Sequence, residues 1–436
     1  MTGRLRHALH RLRRPLRYAL LDRLLHEQPA NRTQALRRRE EDLRRIVQFA
    51  VANTGYYAGR FAEAGIDPAG SWSLADLPLL RKDDVRRHLD AMRAHTAGPD
   101  AAIGHTGGST GTPLAFWYDG FKHELMRAGM CRSYMGSGWR PGQKIMNFWG
   151  ARQDTVAGGV FGTGWEDFIA AERTVSAYEY TAAQLDAWAA AIRDYRPVLL
   201  HGYASVLAEL ARHVLARGIA MPKGLLGVYP TAEVLDDSQR EAMERAFGCK
   251  VFNQYGSREI PNIACECRHG NMHVFSDMVY LESLPEGGED RLIVTSLTNR
   301  LMPFIRYDIG DSGRLLDGEC GCGWPFPLME MGMCRQNDLI RTRDGRTFHP
   351  SYFNRLLYGL TQVEQYQFVQ EAPQRIVLNV VSAEPLDASI PGSIRDHIRR
   401  DLGPEVDFQL NRVAEIPRTA SGKHRFVISR CDSTAR

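Results

Sequence analysis

No apolar run in this chain approaches the roughly twenty residues that a membrane-spanning helix needs, so the sequence gives no transmembrane segment. Internal repeats and low-complexity tracts are missing as well, which argues against a solenoid or a disordered scaffold. A strong charge bias is also lacking. The formal net charge is only +4 over 436 residues, so no nucleic-acid partner is expected. Cysteine is scarce, at eight residues. The arginine-rich start carries no uninterrupted apolar segment and does not read as a secretory signal. The thiols are therefore expected to be reduced or metal-bound, not paired in a disulfide framework, and the protein is expected in the cytoplasm.

What is present is an ordinary globular composition, 44% hydrophobic and 24% charged, over a length that suits two or three domains. The positive charge is uneven. Thirteen Arg face five acidic residues before position 46, and the remainder is slightly acidic. Residues 5–25 pattern as a basic amphipathic helix. Such a helix either contacts an anionic membrane or acidic partner, or packs on its own protein; the second reading is preferred.

Helical patterns at 119–137, 181–195, 203–217 and 236–247 alternate with short apolar strands at 144–149, 198–201, 225–230 and 250–254. That rhythm predicts an α/β layered fold. Residues 33–66 read as a helix, a turn at Asn53-Thr54-Gly55 and a shorter helix. From about 272 the pattern turns to strands, and a β-rich subdomain is expected over about 260–330. Strands at 363–370 and 375–381 with a helix at 391–402 predict a small α+β domain over 336–436, after a large domain over 1–335.

Five segments carry chemistry. His105-Thr106-Gly107-Gly108-Ser109-Thr110-Gly111-Thr112-Pro113 packs glycines and hydroxyls as a phosphate cradle requires, because glycine admits close backbone N–H approach and hydroxyls are rotatable donors. The others are Thr231-Ala232-Glu233-Val234, Tyr255-Gly256-Ser257-Arg258-Glu259, Arg306-Tyr307-Asp308-Ile309-Gly310-Asp311 and Pro417-Arg418-Thr419-Ala420-Ser421-Gly422-Lys423. In this order the set resembles the adenylate-forming (acyl-CoA synthetase) superfamily, and within it the phenylacetate–CoA ligase-like branch with its capsule-biosynthesis relatives. The phrases Asn53-Thr54-Gly55-Tyr56-Tyr57 and Phe61-Ala62-Glu63-Ala64-Gly65-Ile66-Asp67-Pro68 extend the resemblance over nearly the whole chain.

The resemblance implies an ATP site. Ser109, Thr110, Gly111 and Thr112 would hold phosphates, with Ala232, Glu233, Gly256, Ser257 and Arg258 around the nucleotide. Tyr255 would stack on adenine, Asp311 would accept from the ribose hydroxyls, and Arg335 would touch the ribose. Glu259 would hold Mg²⁺. Lys423 would be delivered by a mobile C-terminal domain turning about Asp338, to stabilise charge at the α-phosphate. Two departures stand out: Leu114 follows Pro113 where many members have lysine, and Arg258 replaces a hydroxyl residue. The implied reaction converts a carboxylic acid and ATP into acyl-AMP and pyrophosphate. The acyl group then passes to CoA, or to an amine, hydroxyl or carrier-protein thiol. A non-catalytic nucleotide-binding protein is the third reading. A homodimer is compatible with it all.

Cys267, His273, Cys320 and Cys322 are the expected ligands of a structural Zn²⁺, with Cys265 in reserve and His269 as a further alternative. Tyr134, Trp149, His201, Gly202 and Tyr203 are expected near the acyl group, although core packing explains aromatic residues there equally well.

Overall fold

The computed structural model describes residues 2–106, 114–150, 165–286, 289–332, 338–348, 350–357, 360, 362–417 and 425–431. Ser109, Thr110, Gly111, Thr112, Arg335 and Lys423 lie outside them.

Near the centre is a four-stranded parallel sheet in the order Glu172–Ser176, Ile145–Trp149, Leu199–Tyr203, Gly227–Thr231. The helices Ala182–Tyr195, Ala204–Ala216 and Asp237–Phe247 connect or follow these strands. Their ends are written locally. Thr181 accepts from Gln184 N while the Gln184 side chain accepts from Thr181 N, a reciprocal cap that Asp236 and Gln239 repeat. Gly248 closes the third helix at φ +64°, a conformation glycine adopts without a Cβ clash.

A seven-stranded sheet, antiparallel throughout, runs in the order Val279–Glu286, Glu289–Ser296, Tyr307–Leu316, Leu328–Met331, Met272–Val274, Ala264–Glu266, Gln254–Tyr255. The expected β-rich region is thus a continuous sheet, and Tyr255 stands on its edge strand. A separate hairpin, Ala102–His105 with Ala115–Tyr118, carries the glycine-hydroxyl loop between its strands.

The C-terminal part has a mixed sheet ordered Asp407–Arg412, Arg375–Val381, Gln365–Ala372, Val427–Ser429, backed by the helix Ser389–Leu402. Its core is built of Phe353, Tyr366, Phe368, Leu378, Ile398 and Phe426, joined by Tyr178 from the large part. It also reaches the large part. Thr347–Phe348 pairs with Glu179–Tyr180, and Arg346 meets Glu179 at 2.7 Å and Arg341 meets Glu209 at 2.9 Å.

The basic N-terminal segment is two helices, not one: Gly3–Arg13 and Pro15–His26. Pro15 explains the break, since it has no N–H and fits a first helical turn. The second helix packs on Gly120–Met135, burying Tyr18, Leu20, Leu21 and Leu24, and Arg17 pairs with Glu124 at 2.7 Å. Among the described residues no helix is long and apolar enough to cross a membrane.

Candidate active site

The stalk of the hairpin fixes where the glycine-hydroxyl loop starts and ends. Thr106 N donates to Leu114 O, and Leu114 N donates to Thr106 Oγ1, both at 2.9 Å. Arg258 Nη1 donates to His105 O at 3.2 Å, which ties the Tyr-Gly segment to that stalk. Within this segment Gly256 has no room for a side chain, because a Cβ would lie 2.9 Å from Asn262 N. The Tyr255 hydroxyl donates to Asp311 Oδ2 at 3.1 Å, joining the third and fourth motifs.

Glu259 is buried, and its Oε1 accepts from the Tyr307 hydroxyl at 3.1 Å. Its carbonyl accepts from Lys122 Nζ at 2.8 Å. Desolvation pulls Lys122 down to about 8, against the opposing charges of Glu259 and Asp119. Lys122 also lies 4.4 Å from the centre of the Phe116 ring. Sequence reading missed this lysine. It sits on the first turn of a helix capped by Asp119, and nothing local distinguishes it from a solvated one.

Ala232 follows the strand Gly227–Thr231 in the left-handed region at φ +67°, a rare state for a residue with a Cβ. The turn aims Glu233 at the start of a helix, where its Oε2 accepts from Ser205 N at 2.8 Å. A carboxylate there complements the positive helix end. Thr231 Oγ1 donates to Gln254 O at 3.2 Å, so the second motif is tied to the residue just before the third.

The residues read as an acyl pocket form one aromatic group. Trp149 stacks on Tyr203 at 4.5 Å and on His201 at 5.6 Å, and Tyr134 meets His201 edge-on at 5.9 Å. Gly202 is required there, because a Cβ would lie 2.5 Å from Phe148 O. Tyr134, His201 and Tyr203 are buried, whereas Trp149 keeps a partly exposed edge. Beneath them runs a polar chain absent from the sequence reading. His201 Nδ1 and Asn147 Oδ1 are 3.2 Å apart, Asn147 Nδ2 donates to Glu172 at 3.3 Å, and Glu172 pairs with Arg127. Burial first, and Arg127 second, pull His201 down to about 3, so its ring is neutral at physiological pH.

Cys267, His273, Cys320 and Cys322 bring their ligand atoms within 4.8 Å of one another. The Cys267–Cys320 sulfurs are 3.6 Å apart, and Cys322 Sγ lies 3.4 Å from His273 Nε2. A tetrahedron with metal–sulfur bonds of about 2.3 Å has edges of roughly 3.5–3.8 Å, so these donors fit a zinc ion. His273 Nδ1 lies 3.1 Å from Phe326 O, which fixes the tautomer that leaves Nε2 for metal. Cys265 is outside the group; it is fully buried and its thiol donates to Glu266 O at 3.5 Å. Strand alternation would put residues two apart on one face, but the strand ends at Glu266, so Cys267 turns away from the side that Cys265 faces. His269 is adjacent, with Nδ1 3.9 Å from Cys320 Sγ.

Asp338 is held by the last strand. It pairs with Arg425, its Oδ2 accepts from Ser429 N at 2.9 Å, and its N donates to Val427 O at 3.0 Å.

Residues 340–430 match the model of the CapK C-terminal domain. The chain is 26% identical over 365 residues to Protein CapK of Staphylococcus aureus, covering 82% of this chain and 80% of that protein. It is 26% identical over 445 residues to phenylacetate-coenzyme A ligase of Thermus thermophilus, covering 92% and 97%. In fold it resembles 2-hydroxyisobutyryl-CoA ligase solved with 2-HIB-AMP and CoA, at a TM-score of 0.60 with 18% identity and 90% of each chain covered. With the motif order and the two-part α/β architecture, these likenesses agree with the resemblance of the chain to the adenylate-forming superfamily.

Proposed function

We propose that this protein is an AMP-forming acid–thiol ligase, which activates a carboxylic acid as acyl-AMP and passes the acyl group to CoA. The observation that carries this reading is the contact of Tyr255 with Asp311, with Arg258 reaching the stalk of the glycine-hydroxyl loop. Three segments far apart in sequence thereby meet, and this supports reading them as the stacking ring, ribose acceptor and phosphate cradle of one nucleotide site.

In the first half-reaction a carboxylate oxygen of the acid attacks the α-phosphorus of ATP. The new acyl–O–P bond forms as the bond to the β-phosphate oxygen breaks, and pyrophosphate leaves. Ser109, Thr110, Gly111 and Thr112 hold the phosphates, and Arg258 supplies a further cation beside them. Asp311 orients the ribose with Arg335, and Tyr255 covers the base above Gly256. Ala232, Glu233 and Ser257 shape the nucleotide wall. Lys423 stabilises the charge that builds at the α-phosphate. Glu259 offers a hard carboxylate oxygen for Mg²⁺, which when bound neutralises phosphate charge. In the second half-reaction the CoA sulfur attacks the acyl carbon, its proton passes to solvent, and AMP leaves with the shared oxygen.

The acyl group lies against the Trp149 edge of the aromatic group, with Tyr134, His201, Gly202 and Tyr203 behind it. Asp338 is the pivot between a large domain over 1–335 and the lid over 336–436. Cys267, His273, Cys320 and Cys322 would hold a structural Zn²⁺, tying the strand Met272–Val274 and the turn after Ala264–Glu266 to the loop before Leu328–Met331; Ala264–Glu266 in turn pairs with the strand of Tyr255.

Pyrophosphate release and thioester formation, followed over a panel of aliphatic and aryl acids with and without CoA, test the proposal. Acid-dependent pyrophosphate with matching acyl-CoA is expected. Acid-dependent pyrophosphate without CoA consumption would remove the thiol acceptor, and no pyrophosphate with any acid would remove the activation step.

A further inference from the structure

The first helix, Gly3–Arg13, is docked the wrong way round for a helix that only completes a core. Its polar side faces the protein. Gly3 packs against Gly142, His10 is buried with Nδ1 2.9 Å from the Tyr18 hydroxyl, and the His7 ring lies 5.0 Å from the Tyr18 ring. Its apolar side faces out: Leu5, Leu9 and Leu12 follow one another at helical spacing and are all exposed, Leu12 to 78%. At 100° per residue these leucines centre opposite Gly3, His7 and His10, with Arg4 and Arg11 along one flank and Arg6 and Arg13 along the other.

The patch does not end with the helix. Leu16 continues it, and the short helix Trp165–Ala170 adjoins it. Trp165, 66% exposed, stacks on exposed Phe168 at 5.3 Å, and the Arg6 guanidinium lies 5.5 Å from the Phe168 ring centre. Six of the ten large exposed hydrophobic residues among those described fall in this one region, so scattered surface exposure does not account for it.

We infer that this face docks on the surface of an anionic phospholipid bilayer. Leucines would enter the acyl boundary, Trp165 and Phe168 would sit at headgroup level, and the flanking arginines would meet lipid phosphates. A second copy of the chain is the weaker occupant, because a two-fold contact through this face would set its arginine flanks against one another. Arg11 already pairs with Asp22 and Arg14 with Glu124, so the attraction comes from the whole flank, not from one residue. The inference goes beyond the expectation that the basic segment packs on its own protein, which both helices do. The first helix uses that packing as a platform.

The test is flotation of the full-length protein with vesicles of 30% phosphatidylglycerol in phosphatidylcholine, against pure phosphatidylcholine, at low and high salt. Binding to the anionic vesicles that weakens at least tenfold in high salt is expected, with little binding to the neutral ones. Leu9→Glu with Leu12→Glu should lower the bound fraction at least tenfold at an unchanged melting temperature, since both side chains are exposed. Arg4→Glu with Arg13→Glu is the second variant and should do the same. Equal binding to neutral vesicles, unchanged binding by both variants, or a concentration-dependent dimer with no vesicle binding would each overturn the inference.

Discussion

Arg425 forms an ion pair with Asp338, so the residue two places beyond Lys423 is fastened to the residue read as the pivot. The chain is therefore fixed again at Arg425, close after Lys423. Arg425→Ala should leave Lys423 less well delivered, and adenylation, read as pyrophosphate release at saturating ATP, should fall about tenfold. The pair is partly exposed, so its stability contribution is about 1 kcal/mol or less and the melting temperature should move little. A large loss of stability with undiminished adenylation would make the pair purely structural.

Lys423→Ala should separate the half-reactions. Pyrophosphate release should drop by roughly 10²–10³-fold, the size expected when one preorganised donor to developing charge is removed. Thioester formation from acyl-AMP supplied ready-made should be nearly unaffected. Equal losses in both steps would show that the lysine serves general binding and not charge at the α-phosphate.

The layered fold was legible because its signals are local. Thr181 with Gln184, Asp236 with Gln239 and Gly248 mark helix ends within a few residues of sequence. The four metal-type ligands were legible from chemistry alone. What escaped is long-range. The buried chain of Arg127, Glu172, Asn147 and His201 joins a helix to three strands, and apart from His201, already read near the acyl group, its members look unremarkable in their own segments. The pairing of Thr347–Phe348 with Glu179–Tyr180 likewise crosses the proposed domain boundary, and two-residue strands leave no periodicity to read. The outward leucines of Gly3–Arg13 were visible as amphipathicity, but periodicity does not say which side a helix buries.

Purified protein should hold about one zinc per chain, by metal analysis. Cys322→Ser should reduce that content and lower the melting temperature by on the order of 5–10 °C, because ligand loss converts metal-binding energy into lost folding energy. Cys265→Ser should keep the zinc, since that thiol lies outside the donor group. Full zinc in the Cys322 variant would assign the metal elsewhere.

His201 also makes an acid-stability prediction with a definite sign. Its folded pKa is pulled from 6.5 to about 3 by desolvation, with Arg127 adding to the shift and Glu172 opposing it. Between those values the unfolded chain binds a proton that the folded protein refuses. Stability from this group is therefore complete above about pH 6.5 and declines as pH falls towards 3. At pH 4.5 the loss is about 2–3 kcal/mol, from about 1.4 kcal/mol per pH unit. His123, pulled to about 4 by burial and then Arg127, adds in the same direction. Loss of metal in acid would act likewise, so the parent alone is uninformative. The difference between parent and His201→Asn isolates the term, because asparagine keeps a polar group facing Asn147 but does not titrate. Denaturant unfolding from pH 7 to 4.5 should show a shallower decline in the variant by about one proton's worth of slope. Parallel curves would mean that His201 is protonated in the folded state, and that the buried Glu172 carboxylate outweighs desolvation.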